Sequence, residues 1–185
     1  MRIAVSEAIT QRARRAHNLF ILSVFTLHLP VIVATLAYSV GGDVRLLWSA
    51  LTFLLLALAV LFYIQFRAGR LQAEGAAEWF VMLHWQLAAR RGRLLLIGYL
   101  VAALMIGGGL LVGLGMVDRN MQVIVATVFT RIGVVPALLM ILVTAILAGQ
   151  SMHLANRGIA PLGMIKRFPL PPEVVVLDAE NESGE

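Results

Sequence analysis

Residues 46–66, LLWSALTFLLLALAVLFYIQF, form an uncharged run that stops at Arg67. As a helix rising 1.5 Å per residue, a run of this length covers about 30 Å, the hydrocarbon thickness of a bilayer. It reads as a transmembrane helix, and the chain on either side repeats the signal. Residues 19–40 and 94–117 are uncharged apolar runs, and residues 121–149 form a fourth that is broken only by Arg131. The composition agrees: of 185 residues 60% are hydrophobic and 14% charged, against about 25% charged in soluble domains. The fold expected is an all-α integral membrane protein, a four-transmembrane-helix bundle with little chain left for a separate catalytic domain.

The connections complete the outline. Gly41, Gly42 and Asp43 make a turn too short for anything but an antiparallel hairpin of the first two spans. Residues 67–93 mix Arg67, Arg70, Glu74, Glu78, Arg90, Arg91 and Arg93 with Trp79, Phe80, Leu83, Trp85 and Leu87. On a helical wheel the apolar members share an arc and the two glutamates lie opposite it. This predicts a cytoplasmic interfacial helix over about 71–92, or helical extensions of the neighbouring spans. Trp79 and Trp85 are the expected interface anchors. The turn Asp118-Arg119-Asn120 leads into the fourth run, which at 29 residues is too long for one straight crossing. Residues 121–130 are therefore expected at or outside the far interface, with Arg131 snorkelling there as a third anchor and Pro136 a tolerated kink.

Residues 1–18 form a basic cytoplasmic segment in which Ser6 is placed to cap a helix. The first apolar run exceeds the usual signal-peptide core of about 7–15 residues and contains His28 and Pro30, so it is expected to stay as a span. Residues 151–185 read as a Pro-rich, acidic, cytoplasmic tail, with Pro161, Pro169, Pro171 and Pro172 ending any helix. Within it, VVVL at 174–177 is expected to be disordered alone or ordered by a partner docking on 169–185, the apolar residues supplying burial and the acids steering.

Charge fixes an orientation. Residues 1–170 carry all 15 basic groups, and the last fifteen residues carry five of the ten acids. Twelve of the basic residues lie before the first span, in 67–93 or after the fourth, and only Arg45, Arg119 and Arg131 lie on the other side. By the positive-inside rule both termini and the central segment face the cytoplasm, as in a multi-pass protein of a bacterial inner membrane. These arginines flank apolar runs, so they meet lipid headgroups and give no reason to expect nucleic-acid binding. The absence of cysteine excludes disulfides, thiolate metal sites, iron–sulfur ligation and cysteine nucleophiles.

In the third span Gly98, Ala102, Gly109 and Gly113 fall on one face and include a GxxxG motif, a helix-packing surface whose expected partner is another span of the same chain. The histidines are the candidate cofactor ligands. His28 lies roughly 14 Å into the first span with no histidine at its depth elsewhere, so a hydrogen bond within the bundle is expected of it. His17, His84 and His153 fall near the cytoplasmic interface, where they are expected to be solvated or to contact headgroups or, in an alternative reading, to converge on haem b or a metal, with Glu74 or Glu78 as a further ligand, or to form a quinone pocket. No Walker loop, dinucleotide fingerprint, HExxH or GxSxG is present, and the spans contain no Asp, Glu or Lys for a proton relay. The expected function is that of a non-catalytic integral subunit of a larger membrane complex for secretion or conjugation, transport or respiration, in contact with lipid and other membrane subunits and without a cofactor. The alternatives are the haem b or quinone anchor and a small four-span transporter or sensor.

Overall fold

The computed structural model describes residues 1–74, 78–172 and 174–177. Among these it is helical, with isolated β-bridges and no strand. The helices are α1 (Glu7–Ser23), α2 (Leu29–Gly41), α3 (Val44–Glu74), α4 (Trp79–Leu114), α5 (Arg119–Asn156) and the single turn α6 (Leu162–Ile165). α1 and α2 are joined by a π-helical turn, Val24–His28, into one continuous helix. Among the described residues four helices are long and apolar enough to cross a membrane. Their most apolar windows are only 22–39% buried within the chain, so their outer faces present Leu, Ile, Val and Phe outward. A water-soluble protein rarely exposes so much contiguous apolar surface, and lipid is the solvent that tolerates it.

The chain divides into two compact units, one of Met1–Ile21, Leu61–Gly92 and Ile146–Glu185, the other of Leu22–Val60 and Arg93–Ala145. In the second unit the bundle is set by small residues and a few polar pairs. Gly98 of α4 packs on Met140 of α5 so closely that an added Cβ would lie 2.8 Å from the Met140 Cβ. Gly109 packs in the same way on Phe129, Gly113 on the Gln122 backbone, and Gly133 of α5 on Ile106, whose Cγ1 an added Cβ would meet at 2.7 Å. Ala102 on the same face is buried. The helix-packing face expected of α4 is therefore occupied by α5 of the same chain, because only small residues let two backbones approach where lipid gives helices no hydrophobic drive to associate.

The π-helical turn has an identifiable cause. Pro30 has no N–H to give Thr26, and its ring crowds the preceding turn; widening that turn to i→i+5 bonding accommodates both. At the far end of α2, Gly42 takes φ +68° and donates its N–H to Tyr38 O at 2.8 Å, while Asp43 Oδ1 accepts the Arg45 N–H at 2.9 Å. A left-handed C-cap followed by an Asx turn reverses the chain in two residues, as the Gly-Gly-Asp sequence predicted.

In the first unit the core is a set of helix stripes. Ala13, Ala16 and Phe20 of α1 and Leu61, Ile64, Ala68 and Leu71 of α3 recur at three- and four-residue intervals and are all buried, as are Leu83 and Ala88 of α4 and Ala148 and Ala155 of α5. The separate interfacial helix expected over 71–92 is not a distinct element among the described residues. Residues 71–74 finish α3 and 79–92 open α4, which is the helical-extension reading; residues 75–77 and the side chain of Glu74 lie outside the described residues. Continuing both helices keeps their backbone ladders intact and lets them hydrogen-bond each other: Gln65 Nε2 donates to Ala89 O at 2.6 Å, and Gln86 Nε2 to Ala68 O at 3.0 Å.

The run at 174–177 is tied to the amino-terminal segment. Ala4 N donates to Val175 O and Leu177 N to Arg2 O, each at 3.0 Å, while Ile3 N donates to Gly158 O at 3.0 Å. Gly158 is required there: its φ is +65° and a Cβ would sit 3.0 Å from Ile3 O. The partner that orders VVVL in this structure is the chain's own amino terminus. Glu173 and residues 178–185, which hold the tail's acids, lie outside the described residues.

Candidate functional site

The first unit buries a polar cluster. His17 enters from α1, one position after Ala16 in the buried Ala13–Phe20 stripe. Phe80, His84 and Arg91 succeed one another at intervals of four and seven along one face of α4, and Ser151 comes from α5. All five are buried. His17 Nε2 and His84 Nδ1 share a hydrogen bond of 2.9 Å with the rings nearly perpendicular, and the Phe80 ring stands edge-on to His84 with centroids 4.6 Å apart. Arg91 Nη2 donates to Ser151 Oγ. The His17 Nδ1 and Arg91 Nη1 atoms are buried without a protein partner.

Both histidines precede the apolar runs of their helices, and burial governs their charge. Loss of hydration pushes the His17 imidazole well below the usual range, helped by His84 and the Arg91 guanidinium, and pushes His84 down in the same way with Arg91 second. The pair is neutral at pH 7, one ring donating and the other accepting. Such a cluster can hold three helices in register and can pass a proton between rings. As arranged, its two facing nitrogens bond each other; a metal in line between them would need a separation of about 4 Å.

The remaining candidate residues are placed as follows. His153 is exposed and outside the pair, so the structure brings together two of the three proposed histidines. Among the described residues no group of three His, Cys, Asp or Glu side chains is placed to hold a metal. Glu78 pairs with Arg12. Trp79 and Trp85, expected at headgroup level as anchors, are 5% and 7% exposed and sit within the protein, Trp85 against Tyr63 with centroids 6.1 Å apart. Continuing α4 as one helix places Trp85 against α3, so these rings are packed within the chain. Arg131 is exposed on α5. His28 is buried in the π-helical turn and its Nδ1 bonds Tyr99 Oη at 2.8 Å, the internal hydrogen bond expected of it. Tyr99, Arg91 and Ser151 are the polar partners that sequence reasoning missed; Tyr99 carried a signal, being the only tyrosine in the third apolar run.

No family model, curated protein or solved structure matches this chain.

Proposed function

We propose that the chain is a non-catalytic integral subunit of a larger membrane complex, of a secretion or conjugation, transport or respiratory kind, held in a bacterial inner membrane with both termini cytoplasmic. The observation that carries this reading is the unequal use of α4. Gly98, Gly109 and Gly113 are covered by α5, yet Gly107 and Gly108 have nothing within 4 Å of an added Cβ, in a helix whose apolar window is only 22% buried. Open space beside small residues on a membrane helix suits a second helix from another subunit. The polar side chains fit the same reading: His17 bonds His84, His28 bonds Tyr99 and Arg91 bonds Ser151, each a contact that ties one helix to another. The alternative, a haem b or quinone anchor at His17, His84 and His153, would have to use ring nitrogens other than His17 Nε2 and His84 Nδ1, which bond each other, and His153 lies outside the pair.

The test is gentle purification of the tagged protein from its native membrane, with an optical spectrum and mass spectrometry of everything that co-elutes. Stoichiometric membrane partners without a Soret band are expected. A lone colourless protein would overturn the subunit reading, and a reducible Soret band retained by this chain alone would replace it with the haem reading.

A further inference from the structure

Within the first unit, Arg12 and Arg15 of α1, Arg67 and Arg70 of α3, and Tyr63, Phe66, Glu78, Val81 and Trp85 line an open cleft of about 380 Å³. Among the described lining residues four guanidinium groups face one carboxylate, a net charge of +3, and Glu78 is already paired with Arg12. Arg67 and Arg70 have contacts of their own. The apolar half of the cleft is aromatic: the Tyr63 ring meets the edge of Trp85, and Tyr63 and Phe66 are outward-facing at 52% and 69% exposure.

The cleft has a definite level along its helices. The apolar run of α3 ends at Phe66, so Arg67 and Arg70 lie about 1.5 and 6 Å beyond it along the helix, while Arg15 and Arg12 lie about 6 and 10 Å before the run that begins at Leu19. The headgroup layer occupies about 5–7 Å on each side of the hydrocarbon core. Arg15 and Arg70 therefore share the depth of phosphates, with Arg67 nearer the core and Arg12 at its outer edge, and Tyr63 and Phe66 lie at the depth where acyl chains begin. Guanidinium groups bind phosphate oxygens in a two-point fork, and several of them together favour a ligand with more than one phosphate charge.

We propose that this cleft binds the phosphate headgroup of an anionic phospholipid, with preference for one bearing two phosphates. The shared chemistry is phosphate, and the aromatic wall assigns it to a lipid rather than to a soluble anion. The full-length protein in detergent micelles would be titrated with diphosphatidylglycerol or phosphatidylcholine and read by native mass spectrometry. At least a tenfold preference for diphosphatidylglycerol is expected, falling about tenfold in Arg15→Gln/Arg70→Gln and less in Arg15→Lys/Arg70→Lys, which keeps the charge and loses the fork. Arg119→Gln/Arg131→Gln, which removes equal charge from residues outside the cleft, should retain the preference. The lysine pair keeps the test valid should the glutamine pair fail to fold. Equal retention of the two lipids, or an equal loss in the Arg119/Arg131 variant, would overturn the site. Displacement of the bound lipid by equimolar inorganic pyrophosphate would overturn the lipid assignment; its failure to displace supports it.

Discussion

The hydrogen bond between His17 and His84 shows how one residue's surroundings set its chemistry. Two imidazoles with ordinary affinities would be partly charged near pH 6.5, but burial beside Arg91 keeps both neutral. The unfolded chain therefore binds protons that the folded chain refuses, and stability falls as pH drops below about 6.5, by up to about 1.4 kcal/mol per pH unit for each histidine. Thermal unfolding in detergent between pH 7 and pH 5 should show this loss, and a His17→Gln/His84→Gln variant should flatten it; an unchanged slope would count against the buried pair. Replacing one ring alone leaves the other buried without its partner, so His17→Leu should cost about 1–3 kcal/mol at pH 7, measured by the same unfolding. The residue types were legible from the sequence, as was the need of His28 for an internal partner. Their pairing was not: it depends on the rotational phase of α1, α4 and α5, and a sequence places His17, His84 and His153 at one level without saying that the third faces outward.

At the scale of the element, the apolar runs were readable because bilayer thickness imposes a length. The ends were not, since residues 67–74 and 79–92 are polar enough for an interface and yet carry apolar stripes that continue the two helices within the first unit. The glycines of α4 divide by what they touch. Gly109→Ala would drive a methyl into Phe129 and should destabilise the protein by about 1–3 kcal/mol, whereas Gly107→Ala meets nothing and should be neutral or stabilising by up to about 1 kcal/mol. Melting of the two variants in matched detergent checks the contrast, and equal shifts would refute the packing described for α4 and α5. The tail offers a second case. Deleting residues 169–185 removes the acceptor of the Ala4 amide and should speed its hydrogen exchange while α3 and α4 keep their protection. Unchanged exchange at residues 2–5 would contradict the bridge between the two termini.

For the whole molecule, everything rests on four crossings. The arginine distribution, the apolar outer faces, the level of the arginine-lined cleft and the proposal of a membrane-embedded subunit all fail together if the chain does not cross four times. The absence of native cysteine makes the test clean, because each introduced thiol is the only one. Single substitutions Ser6→Cys, Gln72→Cys, Arg157→Cys, Asp43→Cys and Asn120→Cys all fall at exposed positions, and a membrane-impermeant maleimide can be applied to intact cells and to inverted vesicles. Positions 6, 72 and 157 should react only in inverted vesicles and positions 43 and 120 only in intact cells. Labelling of positions 6 and 43 from the same face would contradict the four crossings.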